Sequence, residues 1–170
     1  MLGWLDQAET GGGDGAHRLM REIAATLGTE GVPVRGAIQT NQPAANCHCD
    51  MSLEILGDGG PEVVISQDLG PSATGCRLDA GALELAAQRV LNTLPEARLV
   101  VLNKYGKQEI MGRGMVAVIA DAMDRDLPVL ISVAPEQQAE FLSFAGDLAV
   151  KLAPGDAARW CRDALQAPAA

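Results

Sequence analysis

The chain has 170 residues and a net charge of −9, from 13 Lys and Arg against 22 Asp and Glu. This balance disfavours a nucleic-acid surface and attraction to anionic lipid, because both need clustered positive charge. The length predicts one domain over residues 1–170, with a core of aliphatic side chains because only 3% of residues are aromatic. No apolar run is long enough to cross a bilayer, and the first residues lack a secretory signal, so we expect a cytoplasmic protein without membrane insertion.

The first half of the chain alternates strand and helix patterns. An apolar run, LGWL, precedes a Gly-rich loop, and apolar residues at helical spacing then predict a helix over 16–28 with Asp14 as its N-cap. A strand is predicted over Val34–Thr40. Two further strand patterns, CHCDMSLEIL and EVVISQ, flank the turn GDGGP and predict an antiparallel hairpin over residues 48–66, at or near a sheet edge.

The second half continues the alternation. Asp79 is expected to cap a helix that ends at Pro95, and ARLVVLN is a continuous apolar strand ending at Asn103. After the loop KYGKQEIMGRG, the patterns predict helix, strand, helix, strand and helix over MVAVIADAMDRD, VLISV, PEQQAEFLSFAG, LAVKL and GDAARWCRDALQ. The predicted fold class is therefore α/β, with a mostly parallel sheet between two helical layers and one antiparallel hairpin.

The segment TGGGDGAHR has the layout of a phosphate-binding loop, in which backbone N–H groups and a helix N-terminus bind an anion. A complete P-loop continues with Gly, Lys and Ser or Thr, whereas this chain has Ala16, His17 and Arg18 there. The lysine for the phosphates and the hydroxyl for magnesium are missing. Either the loop binds an oxyanion, with His17 or Arg18 adding charge, or it binds no ligand. The candidate residues are Gly11, Gly12, Gly13, Gly15, His17 and Arg18.

Four stretches resemble an uncharacterised bacterial family whose genes often lie beside molybdate-uptake (ABC) transporter genes. They are GVPVRGAIQTN, CDMSLEILGDG, ISQDLGPSATGCRLDAGALE and VLNKYGKQEIMGRGM, and the resemblance extends from Leu2 to about Leu152. The order of elements is also similar to that of the P-loop nucleoside-triphosphatase family first described in thermophiles. This resemblance implies a three-layer P-loop NTPase-like fold.

In the thermophile family the later strand ends in Asp-Glu, where this chain has Asn103 and Lys104; Gly106, Lys107 and Glu109 follow in matching places. Asparagine can form hydrogen bonds but cannot act as a base or neutralise magnesium. The resemblance therefore implies a protein that kept the scaffold and changed the hydrolytic site, with degenerate nucleotide-binding motifs.

Two other groups of residues allow a functional and a structural interpretation. Cys47, His48 and Cys49 are good ligands for soft metals, but a strand places His48 on the opposite face from the cysteines, which favours a structural role over a metal site. The loop GPSATGCR combines hydroxyls, amides and a guanidinium suited to an oxyanion, or else Arg77 pairs with Asp79 or Asp68 and fixes the loop. Its candidate residues are Ser72, Thr74, Cys76 and Arg77.

Lys104, Lys107 and Arg113 gather positive charge at the carboxyl end of the strand that ends at Asn103, which is where α/β sheets bind ligands. The alternative is that they are solvated charges paired with Glu109. We expect this loop, the Gly11–Arg18 loop and the Ser72–Arg77 loop to meet at one end of the sheet, with the first and last following neighbouring parallel strands.

These patterns favour a non-hydrolytic binding protein for a nucleotide or an oxyanion, and the resemblance implies a role in molybdenum handling, with molybdate or a nucleotide as ligand. A weak nucleotide phosphohydrolase and a protein–protein adaptor with a dead site are the alternatives. The expected partner is a small anionic ligand and not nucleic acid. A homo-oligomer and a protein partner in molybdenum metabolism both stay open.

Overall fold

A computed structural model describes residues 1–42, 50–67 and 77–166 of the chain. Its strands are β1 (Leu2–Asp6), β2 (Val34–Gln42), β3 (Asp50–Leu56), β4 (Val63–Val64), β5 (Leu99–Tyr105), β6 (Val129–Val133) and β7 (Ala149–Leu152). Its α-helices are α1 (Gly13–Thr29), α2 (Ala80–Thr93), α3 (Lys107–Ile110), α4 (Val116–Asp124), α5 (Gln138–Ala145) and α6 (Ala157–Gln166). None of the helices in these ranges is long and apolar enough to cross a membrane.

The strands form one seven-stranded sheet in the order β4-β3-β2-β5-β6-β1-β7. Strands β2, β5, β6, β1 and β7 run parallel, while β3 pairs antiparallel with both β2 and β4. The predicted antiparallel hairpin at the sheet edge is therefore confirmed over the described residues. The α/β fold, with a mostly parallel sheet and one antiparallel pair, is confirmed and is consistent with a P-loop NTPase-like fold.

Helices cover both faces of the sheet and give two aliphatic cores. On one face α2, α4 and α5 bury side chains such as Leu83, Ile119 and Phe141. On the other, α1 and α6 bury side chains such as Met20 and Cys161. The central strands β5 and β6 are buried on both faces, which explains their continuous apolar runs.

Three expectations about the elements are wrong. Strand β6 lies between β1 and β5, so these two strands are not neighbours, although their carboxyl ends share one edge. Helix α1 begins earlier than expected, with Gly12 as N-cap, so Asp14 lies inside the first turn. The strand expected to end at Asn103 continues to Tyr105 through an irregular register after Leu102, and α3 occupies part of the predicted loop. In contrast, Asp79 caps α2 as predicted, since its Oδ1 accepts the Ala82 N–H at 3.0 Å.

Candidate functional site

Four adjacent strands place uncharged polar side chains at the carboxyl edge of the parallel sheet. Gln39 lies in β2, Asn103 in β5 and Ser132 in β6, while Gln7 directly follows β1. Gln7 Nε2 donates to Ser132 Oγ at 3.0 Å, Ser132 Oγ donates to the Asn103 backbone oxygen, and Asn103 Nδ2 donates to Gln39 Oε1 at 3.3 Å. All four residues are buried. We call this hydrogen-bonded row the amide belt; it contains no charge.

Within the amide belt, Asn103 lies near the carboxyl end of β5. The register irregularity of β5 after Leu102 lies beside it. Irregularities of this kind redirect side chains and recur next to functional sites. The amide of Asn103 can orient a ligand or a water molecule, but it cannot accept a proton as a carboxylate would.

Glu109, the buried carboxylate that follows Asn103 in the same segment of the chain, has a structural role. Its Oε2 accepts the Gly106 N–H at 2.9 Å and its Oε1 accepts the Met115 N–H at 3.0 Å, so it ties the two ends of the loop together. A Cβ atom at Gly114 would lie within 2.4 Å of Glu109 Oε1, and Gly114 has a φ of 60°, so glycine is required there. The alternative in which Glu109 pairs with the basic side chains of this loop is therefore wrong.

Three exposed basic side chains surround this loop. Lys104 directly follows Asn103 in β5, Lys107 opens α3, and Arg113 comes after α3. None of the three forms an ion pair with another residue in the described ranges. Within the described residues, these three side chains therefore add unpaired positive charge at the carboxyl edge of an acidic chain.

A cleft of about 570 Å³ opens beside the amide belt, on the side of α2 and α3. Gln7, Gln39 and Asn103 of the belt line it, together with Lys104 and Lys107. Its other wall is mainly apolar and includes Met51, Leu53, Ile65, Leu78, Leu83, Met111 and Met115. A volume of this size with apolar walls and a few polar groups is typical of sites for small organic ligands.

The Gly-rich loop lies at the same edge of the sheet, between β1 and α1. Its turn closes on the Gln7 backbone oxygen, which accepts the Gly12 N–H at 2.7 Å. Gly11 and Gly12 both have positive φ angles. Gly15 is required for a different reason, since a Cβ there would lie 1.9 Å from the Thr10 backbone oxygen. The loop thus delivers the N-terminus of α1, whose first N–H groups have no partner within the helix, to the carboxyl edge.

His17 lies in the first turns of α1 and is 9% exposed. Its Nδ1 is 3.9 Å from Asp14 Oδ1, and its Nε2 is buried and has no hydrogen-bond partner in the described part of the chain. Burial is the main cause that lowers the pKa of His17, and the charges of Lys104 and Arg21 lower it further, whereas Asp14 opposes them. The free protein therefore holds a neutral imidazole close to the positive end of a helix, where an anion would favour its protonated form. Arg18, one residue on, is exposed.

The structure brings together part of the predicted site. The Gly11–Arg18 loop and the Asn103–Arg113 loop share the carboxyl edge, as expected. Of the Ser72–Arg77 loop only Arg77 is described, and its Nε donates to the Gln67 backbone oxygen at 3.1 Å. The next residue, Leu78, lines the cleft, whereas Arg77 does not.

Ser72, Thr74 and Cys76 lie outside the described residues, as do Cys47, His48 and Cys49, so their predicted roles remain predictions. Within the described ranges, no group of three or more His, Cys, Asp or Glu side chains could hold a metal ion.

Sequence reasoning missed Gln7, Gln39, Ser132 and Gln108. A polar residue near the carboxyl end of an otherwise apolar strand was the available signal: Gln39 in GAIQT and Ser132 in VLISV. Because the strand order was not known, nothing in the sequence indicated that these residues form one row. Gln108 was missed because its segment was interpreted as an irregular loop and not as α3.

The fold is α/β with a mostly parallel sheet and is consistent with a P-loop NTPase-like fold. The chain belongs to the family described as protein of unknown function (DUF2478), whose model matches residues 8–160. It is also 31% identical, over 142 residues, to the molybdenum import ATP-binding protein ModC 2 of Bradyrhizobium diazoefficiens. The match covers 82% of this chain but only 16% of that protein, so the chain spans a small part of its relative. No solved structure matches the chain significantly.

Proposed function

We propose that the protein binds a small phosphate-bearing ligand, such as a nucleotide, at the carboxyl edge of its sheet without hydrolysing it efficiently. The observation that carries this proposal is the amide belt, whose Gln7, Gln39 and Asn103 line one cleft with two cations, Lys104 and Lys107, that form no ion pair within the described residues. Backbone N–H groups and ammonium groups at one edge favour an anion, and the adjoining cleft has room for its organic part.

A nucleotide agrees better with this cleft than a bare oxyanion does. A tetrahedral oxyanion would fill a small part of about 570 Å³ and would contact the apolar wall unfavourably. An organic ring can cover that wall while its phosphates reach the cations. Molybdate therefore remains a second ligand to test, and its binding site would be the Gly-rich loop with His17 rather than the cleft.

Efficient hydrolysis is disfavoured by the chemistry of the edge. Asn103 occupies the place of the acid, and both oxygens of Glu109 already accept backbone N–H groups. The Gly-rich loop has neither the lysine nor the hydroxyl of a complete P-loop. Each of these groups positions phosphate, magnesium or water in hydrolytic P-loop enzymes, so their joint replacement supports binding over turnover.

A role in molybdenum handling is supported by the similarity to a molybdenum import ATP-binding protein. Because the matched stretch is a small part of that protein, a chain of this kind can exist joined to a much larger partner. This favours an adaptor that acts beside a molybdenum importer as a second candidate function. The two functions are compatible if ligand binding regulates the partner.

The proposal is tested by calorimetric titration of the protein with GTP, ATP, phosphate, molybdate and tungstate at constant ionic strength. Binding of a triphosphate should weaken about tenfold or more in Lys104→Ala and in Lys107→Ala, since a hydrogen bond to a charged group contributes about 1.5–3 kcal/mol. Arg125→Ala is the matched control, because Arg125 follows α4 at the opposite edge of the sheet and, among the described residues, forms its ion pair with Asp121 of that helix. Unchanged affinity in both lysine variants would refute the site.

A further inference from the structure

We propose that the cleft binds a heteroaromatic ring whose N–H groups donate hydrogen bonds to the side-chain oxygens of Asn103 and Gln108. This inference rests on the proposed function and names the class of ligand. Among the residues that the structure describes, Asn103 Oδ1 and Gln108 Oε1 are both buried without a hydrogen-bond partner, and both residues line the cleft. A buried carbonyl oxygen without a partner is uncommon and unfavourable, so each one indicates a missing donor.

The orientation of the Asn103 amide is set by its neighbour in the amide belt. Gln39 Oε1 acts as an acceptor and so takes the Nδ2 end of Asn103, at 3.3 Å. The other end, Oδ1, is therefore the one left without a partner, in a side chain that is only 6% exposed. Rotation about the last torsion of an asparagine is broad, so a ligand can be met by a small turn of this amide.

The position of the two amides along the chain places each beside a cation. Asn103 precedes Lys104, and Gln108 follows Lys107, so each amide is next in sequence to one of the two lysines that line the cleft. One ligand can thus present N–H donors to the amides and an anionic group to the lysines. A ligand that had only an anionic group would leave both amide oxygens without partners.

The apolar residues that line the cleft can pack against the flat, apolar face of a ring in the ligand. Met51, Met111 and Met115 contribute thioether side chains, and Leu78 and Leu83 contribute aliphatic ones. Methionine sulfur makes favourable contacts with aromatic rings, and its flexible side chain adapts to their shape. The wall therefore favours an aromatic ring over a sugar or an inorganic ion.

Two acceptor side chains favour a ring whose edge presents two donors side by side. Guanine has a ring N–H next to an exocyclic amino group, whereas adenine places its amino group beside ring acceptors. Hypoxanthine keeps the ring N–H and lacks the amino group. The structure therefore predicts the affinity order GTP, then ITP, then inorganic tripolyphosphate.

The experiment measures the affinities of GTP, ITP, ATP and tripolyphosphate for the full chain by calorimetry. GTP should bind about tenfold more tightly than ITP, because ITP lacks the amino group and so loses one hydrogen bond. Tripolyphosphate should bind more weakly than either, because it has no ring to contact the cleft. Tripolyphosphate binding as tightly as GTP would overturn this inference while leaving the proposed function intact. If no triphosphate binds, the proposed function fails first.

Gln108→Leu removes the acceptor with little change in size and should reduce the preference for GTP over ITP to about twofold or less. Gln88→Leu, on the exposed face of α2, is the matched control and should keep the full preference. A GTP preference that survives in Gln108→Leu and in Asn103→Leu would overturn the assignment of the two amides. Circular dichroism checks that each variant is folded. If Asn103→Leu does not fold, the result for Gln108→Leu alone decides the outcome.

Discussion

Replacing Glu109 by alanine should unfold the loop that carries Lys107 and Gln108. The carboxylate accepts two backbone N–H groups, from Gly106 at 2.9 Å and from Met115 at 3.0 Å, and the residue is 6% exposed. Alanine leaves both donors without partners, which destabilises the protein by about 1–3 kcal/mol for each donor. The total of about 2–6 kcal/mol lowers the melting temperature by at least about 4 °C in a chain of this size.

The measurement is thermal and urea unfolding followed by circular dichroism, with Glu109→Gln as a graded variant. Glutamine keeps one acceptor oxygen and should lose about half as much stability as alanine. Glu22→Ala, an exposed change on α1, is the matched control and should stay within about 0.5 kcal/mol of the native protein. If Glu109→Ala is as stable as this control, the carboxylate does not hold the loop and the reasoning is refuted.

Further predictions concern the Gly-rich loop, the amide belt and the core. Gly15→Ala should destabilise the protein strongly because its Cβ would meet a backbone oxygen at 1.9 Å, whereas Gly28→Ala, with open space, should be neutral or stabilising in the same unfolding assay. Burial lowers the pKa of His17, and an anion bound beside it would raise that pKa. The affinity for molybdate, measured by calorimetry, should therefore rise as the pH falls in the native protein and stay constant in His17→Gln. An affinity in the native protein that does not change with pH would contradict this. Asn103→Asp should not restore phosphate release to about 1 per second, because the P-loop lysine and hydroxyl are still missing. Burial raises the pKa of Cys161 to about 12, so peptide mapping of the folded protein at pH 8 should find this thiol unalkylated, and rapid labelling would argue against its burial.

The sequence predicted the fold because its strands and helices have strong periodic patterns. The continuous apolar runs of β5 and β6 indicated a covered parallel sheet, and the GDGG turn indicated the edge hairpin. The order of strands could not be obtained in the same way, because pairing depends on packing between distant segments. The expectation that β1 and β5 are neighbours failed for this reason, since β6 enters between them.

The candidate site was predicted where it depends on local motifs and missed where it depends on the sheet. Asn103 and Lys104 were predicted as site residues because the sequence resembles a family that has acidic residues at these positions. The row formed with Gln7 and Gln39 needed the strand order. The two backbone donors of Glu109, at Gly106 and Met115, are close to it in sequence, but its side chain could equally have paired with the neighbouring cations. A carboxylate in a loop has the same sequence signal whether it binds a cation or backbone N–H groups.

The central claim, binding without efficient hydrolysis, is tested most directly by phosphorus NMR of GTP mixed with an equal amount of protein and magnesium. The account predicts that the phosphate resonances shift or broaden on mixing and that the inorganic phosphate signal does not grow over many minutes. It also predicts that Lys104→Ala reduces the shift and Arg125→Ala does not. Resonances identical to those of free GTP would contradict binding, and inorganic phosphate released at about 1 per second would contradict the loss of hydrolysis.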